Sequence, residues 1–154
     1  MDTLAHSLWS LAGGQAVGSK TRGLWLAFWG AFADLVWLPF TAWELLTAHK
    51  LVYFLAIYQW SHSLVIWAVI VGLVSIKWRR AIYWMWPWAL HIIIDIPGHQ
   101  DMPTPFLWPL SNFSIRGWFD WLNINFIIGT YAALALVWGI LWWRKKKRLP
   151  VKTF

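Results

Sequence analysis

The chain contains no cysteine. That excludes disulfides, thiolate ligands and a cysteine nucleophile, and leaves histidine and carboxylate as the side chains able to hold a metal. Charge is scarce as well. Asp, Glu, Lys and Arg make up 12% of the 154 residues, against 60% hydrophobic ones. So few charges cannot clothe a soluble globule, and the composition is that of a membrane protein. Residues 1–19 lack both a basic leading region and a small-residue cleavage site, so no removable signal peptide is expected there.

What the chain has in abundance is tryptophan, 17 in all. Many of these, among them Trp25, Trp43, Trp78, Trp86, Trp118, Trp142 and Trp143, lie near the ends of apolar stretches, where an amphipathic ring suits the headgroup region. The formal charge of +7 does not point to nucleic acid, because the basic residues sit at segment ends rather than along one stripe. The run Arg144-Lys145-Lys146-Lys147-Arg148 directly follows an apolar stretch and reads as a cytoplasmic stop that binds anionic lipid.

Four apolar segments stand out, at residues 24–43, 51–76, 81–96 and 122–143. All but the third reach the roughly 20 residues needed to span a bilayer, and the third is stopped at its outer end by Pro97 and Gly98. Lys20 and Arg22 precede the first, Lys77, Arg79 and Arg80 join the second to the third, and the polybasic run follows the fourth. All three clusters fit on the cytoplasmic side, leaving Lys50 and Arg116 outside. Leu4 to Val17 adds a short membrane helix, half-inserted or spanning, in which Gly13 and Gly14 permit close packing; a helix lying on the surface is the alternative. The expectation is an all-α integral membrane bundle of four spans plus a short N-terminal helix, one domain over 1–154. Residues 144–154 form its basic cytoplasmic tail, and the membrane is of the bacterial cytoplasmic (inner) type.

Against that apolar background His91 and Asp95 stand four residues apart in Ala-Leu-His-Ile-Ile-Ile-Asp-Ile. On a helix both point the same way and offer one nitrogen and one oxygen to an ion. Ionisable groups at membrane depth are expensive, so a function is the default reading. His6 lies 14 residues before Lys20, Asp34 lies 12 after Arg22, His62 lies 15 before Lys77 and His91 lies 11 after Arg80. At about 1.5 Å per residue, all four sit roughly 17–22 Å from the cytoplasmic boundary. A lone intramembrane histidine is commonly a hydrogen-bonded packing residue, whereas polar groups from four helices at one level point to a shared site. His6, Asp34, His62, His91 and Asp95 are thus candidate ligands for zinc or a similar divalent ion. Residues 97–121, broken by Pro97, Pro103, Pro105 and Pro109, would cover the outer mouth and dip into the interface. In that segment His99, Asp101 and Asn112 are candidates for contacts to a substrate or to the ligands, and a solvated loop is the plainer alternative.

The opening Met-Asp-Thr-Leu-Ala-His-Ser-Leu-Trp, the Trp60-Ser61-His62-Ser63 segment, the His91-Ile-Ile-Ile-Asp95 pair and Leu107-Trp108-Pro109-Leu110-Ser111 resemble, in order, the motifs of the LexA-regulated membrane-bound metal-dependent hydrolases. The resemblance covers about residues 1–115. That family is grouped with the zinc phospholipase C and single-strand nuclease superfamily, so the resemblance implies a helical bundle, the same five ligands and hydrolysis of a phosphodiester or another ester. Two positions depart from the pattern. Asp34 is followed by Leu35-Val36-Trp37 where the family carries a further acid and a histidine, and Ile57 stands where it has another histidine. The shorter ligand set implies one ion rather than two or three, or lost activity.

In a hydrolase of this kind the ion activates water, and Asp34 or Asp95 bridges the metal or accepts the water proton. Membrane lipid is the expected partner. Two other classes compete. His62 and His91 on neighbouring spans could ligate a haem or pigment, although two buried aspartates beside a macrocycle argue against it. A non-catalytic subunit of a larger membrane complex would also show an aromatic surface.

Overall fold

The computed structural model of the chain describes residues 1–19, 23–47 and 54–148. These form six helices and no strand: α1 (Thr3–Ala16), α2 (Gly23–Thr47), α3 (Phe54–Ser61), α4 (Leu64–Lys77), α5 (Ala81–Gly98) and α6 (Ile124–Arg148). Two of them, α2 over Gly23–Glu44 and α6 over Ile124–Lys147, are long and apolar enough to cross a membrane. α6 carries Ile128, Leu136 and Trp142 exposed on its surface, an apolar face of the kind that marks a membrane or protein contact. Lys20, Arg22, Lys50 and the tail beyond Arg148 lie outside the described residues.

The apolar run 51–76 is not one helix. It breaks at His62 and Ser63 into α3 and α4. The cause is local: Ser63 turns extended and caps α4, its hydroxyl accepting from the amides of Val65 (3.1 Å) and Ile66 (3.2 Å). The backbone groups freed by the break find partners. The Leu64 amide donates to the Phe106 carbonyl at 3.0 Å, the Ser63 hydroxyl donates to the Trp108 carbonyl, and Trp88 Nε1 donates to the Ser61 carbonyl at 2.7 Å. Buried backbone outside a helix is tolerated only where protein satisfies it in this way.

α5 is the central element. Its Trp88 and Ile92 are fully buried and pack with Ala33 of α2, Val71 of α4 and Met85 into one core, flanked by Trp29, Phe32 and Trp60. α1 lies against α2 along a seam of small residues. A methyl added to Gly30 would collide with the Ser10 side chain and come within 2.9 Å of the His6 carbonyl, so only glycine allows this approach. α1 and α6 run parallel: the Tyr131 hydroxyl donates to Asp2 at 2.9 Å near one end, while Gln15 and Ala16 face Leu141 and Arg144 across a cleft at the other. Gly13 also faces Trp86 of α5. The start of α5 therefore lies at the same end as the close of α1 and α6, which gathers Lys77, Arg79, Arg80 and the run from Arg144 at one end of the bundle. Lys77, Lys146 and Lys147 stand over Trp78, Trp142 and Trp143 there, with Lys147 at 3.8 Å from the ring centre.

At the opposite end residues 99–123 fold over the bundle. The Pro97 carbonyl, left free at the end of α5, accepts from the amides of Trp118 (2.9 Å) and Phe119 (3.2 Å), and Gly117 donates to the His99 carbonyl at 3.1 Å. A Cβ at Gly117 would lie 2.6 Å from the His99 amide nitrogen, so the strap fits this closely only with glycine.

Candidate functional site

Asp34 from α2, His62 at the break between α3 and α4, and His91 and Asp95 from α5 converge in the interior, all buried. One ligand atom from each lies within 4.8 Å of the others. His91 Nε2 is 3.1 Å from Asp95 Oδ2 and 3.5 Å from Asp34 Oδ1, and His62 Nε2 is 3.6 Å from Asp95 Oδ2 and 3.7 Å from Asp34 Oδ1. Two donors on one tetrahedral zinc at about 2.0–2.1 Å would be about 3.3 Å apart, so these spacings suit a common ion.

The far side of each ring decides which way the ligand nitrogen is presented. His91 Nδ1 lies 2.7 Å from the Gly30 carbonyl. A carbonyl only accepts, so Nδ1 carries the hydrogen and donates it. His91 Nε2 is then aimed at two carboxylates and has no hydrogen-bond partner. His62 repeats the arrangement: the Ser61 hydroxyl donates to the Tyr58 carbonyl (3.3 Å), and His62 Nδ1 is 2.9 Å from that hydroxyl and 3.2 Å from that carbonyl. Tyr58 stacks on the ring at 4.1 Å. Histidines that bind metal characteristically donate their other nitrogen to a carbonyl or carboxylate. A buried, unpaired ring nitrogen facing two carboxylates is relieved by a cation. The donor set of two imidazoles and two carboxylates fits a divalent ion.

Asp34 is held from two sides. Thr3 Oγ1 donates to Oδ2 at 2.8 Å and Trp37 Nε1 to Oδ1 at 3.3 Å. Asp95 works on two faces: Oδ2 looks toward His62 and His91, while Oδ1 has His6 Nε2 at 2.9 Å, His99 Nε2 at 3.3 Å and the Met1 amino group at 2.9 Å.

His6 is therefore in the cluster but beside the four-group set. Its ring stacks on His91, centroids 3.6 Å apart, and its approach to Asp95 lacks hydrogen-bond alignment. His99, expected in the outer loop, is buried one turn beyond Asp95, and neither of its ring nitrogens has a hydrogen-bond partner. Asp101 and Asn112 are both exposed, as in the solvated-loop alternative, and Asp101 faces Arg116 at 3.9 Å on the surface. Sequence reasoning missed Gly30, Thr3, Trp37 and Ser61. Two of these left a signal, since Trp37 follows Asp34 by three residues, one helical face, and Gly30 is the one glycine inside the apolar run 24–43. Compared with family models, curated proteins and solved structures, the chain matches none of them.

Proposed function

We propose that the chain is a metal-dependent hydrolase embedded in a bacterial-type cytoplasmic membrane, acting on an ester or phosphodiester near the outer leaflet, with zinc as its ion. In this reading α2, the broken pair α3 and α4, α5 and α6 are four spans, and α1 is a short fifth membrane helix. The end that gathers Lys77, Arg79, Arg80 and Arg144 faces the cytoplasm by the bias of basic residues, and the C-terminus with it. The observation that carries the metal reading is His91, fixed by Gly30 through Nδ1 so that its unpaired Nε2 faces Asp34 and Asp95. A resemblance to the LexA-regulated membrane-bound hydrolases, carried by the motifs around His6, His62, His91 and Trp108, supports hydrolysis.

Asp34, His62, His91 and Asp95 would hold the ion. A divalent ion bound there supplies Lewis acidity and lowers the pKa of water toward ~7. The chain supplies the rest. Asp95 Oδ1, between His6 and His99, takes the proton released when water attacks, and the two rings neighbour it for onward transfer to the leaving group. Thr3 and Trp37 fix the Asp34 carboxylate. The strap of residues 99–123 shields the pair from bulk water.

A haem or pigment between His62 and His91 fits this geometry poorly. The rings stand edge to face with centroids 5.3 Å apart, and both face the two carboxylates, leaving no slot for a planar macrocycle. Elemental analysis of the purified protein with its visible spectrum tests the reading. Near-stoichiometric zinc or manganese without colour is expected. A Soret band would transfer the function to haem, and a colourless, metal-free chain would make it a structural subunit.

A further inference from the structure

We infer that the gap between α5 and α6 is a lateral port by which one acyl chain of a membrane lipid, with a headgroup lacking net negative charge, reaches the Asp95 side of the metal centre; this rests on the hydrolase reading and names its substrate class. The backbone of α6 packs along α1 and stays clear of α5. Between them lies a cavity of about 770 Å³, within the range of about 300–1,000 Å³ typical of ligand sites. Its walls are apolar: Trp9 of α1, Ile94 and Pro97 of α5, Phe126 and Ala133 of α6. A side chain added at Gly129 of α6 would meet nothing within 4 Å.

Three observations choose the occupant. The cavity adjoins the site: Met1, which lines it, donates through its amino group to Asp95 Oδ1, and Ile94 and Pro97 of its wall flank Asp95 along α5. The side of α6 that carries Ile128 and Leu136 is exposed and apolar, so the gap opens toward hydrocarbon rather than water. The outer mouth carries Gln100, Asp120, Asn123 and Asn125, with Trp118 beside them, and no lysine or arginine lines the cavity. The Asp120 carboxylate there repels an anionic headgroup and accepts from an amine, the amides of Gln100, Asn123 and Asn125 pair with hydroxyls, and the tryptophan face favours a cation.

The test places the full chain in bilayers of phosphatidylethanolamine and phosphatidylglycerol containing a trace of phosphatidylethanolamine with a diazirine on one acyl chain. After illumination, labelled residues are mapped by mass spectrometry. Labelling at Ile94, Phe126 and Ala133 is expected several-fold above that at Ile128 and Leu136. Ala133→Trp, which fills the gap, should abolish most of the wall labelling while zinc content stays at the wild-type level. Ile128→Trp, on the outer face of α6, should change neither. Should Ala133→Trp fail to fold, Thr130→Phe from the same wall replaces it. Equal labelling of both faces of α6, or wall labelling indifferent to the filling variant, overturns the port, as it would if a protein segment filled the gap. A phosphatidylglycerol probe labelling the walls equally well overturns the headgroup assignment. Wall labelling in a chain that binds no metal and cleaves no lipid would sustain the port and refute the hydrolase, so the two failures separate.

Discussion

Replacing Asp95 by asparagine tests the centre most directly, because this one carboxylate faces nitrogens from four parts of the chain. Asp95→Asn preserves shape and helix propensity closely but removes a buried negative charge and puts an amide beside His91 (3.1 Å) or His6 (2.9 Å). Two imidazoles and Asp34 remain for the ion, one negative charge instead of two. Breaking a buried charge pair by removing one partner costs about 3–5 kcal/mol, which at about 1.4 kcal/mol per decade raises the zinc Kd roughly 10² to 10⁴-fold. Folding loses the charge facing the buried Met1 amino group but keeps an oxygen able to accept from it, and should suffer less, since the helices are held by the Trp88 and Ile92 core and by the seam at Gly30. The assay is zinc competition against a chromophoric chelator, run beside thermal unfolding in the same detergent. A Kd within tenfold of wild type would refute the assignment of Asp95 as a ligand. Loss of folded protein together with the metal would mean that the ion holds the bundle together, contrary to the division of labour argued here.

Gly30→Ala forces a methyl against Ser10 and the His6 carbonyl, so unfolding stability should fall by about 1–3 kcal/mol as α1 is pushed off α2. Zinc content should largely hold, because α1 contributes none of the four closest ligand groups; a loss as complete as in Asp95→Asn would show that α1 takes part in holding the ion, through His6 or through the Thr3 bond to Asp34. Ser63→Ala removes the cap of α4 and leaves the Trp108 carbonyl without its donor, a cost of about 1–3 kcal/mol. Hydrogen exchange should show it as faster exchange at the Leu64 to Ile66 amides, and unchanged protection there would mean that the break is held by other contacts.

Most of the helix plan was legible because long apolar runs bounded by charge, proline and glycine leave little freedom. The apolar runs 24–43, 81–96 and 122–143 correspond to α2, α5 and α6 within a few residues. The run 51–76 misled, because hydropathy counts side chains and does not register a serine that caps the helix beginning just after it. The polar triplet Ser61-His62-Ser63 was the available clue, and it breaks the helix where His62 joins the buried cluster. The same arithmetic of rise per residue brought His6, Asp34, His62 and His91 to one level, and there they meet. What it could not supply was rotation. Depth puts His6 level with His91, but only the seam at Gly30 shows that the two rings stack and that His6 looks toward Asp95 Oδ1 instead of joining the four-group set. His99 shows the converse: assigned to a loop because of Pro97, it is nonetheless four residues beyond Asp95, the same spacing that paired His91 with Asp95, and it reaches the same carboxylate. Gly30 joins these observations. Its missing side chain admits α1, and its carbonyl, reached by His91 Nδ1, sets which nitrogen faces the carboxylates. A residue with no functional group thus fixes both the helix approach and the orientation of the ligand.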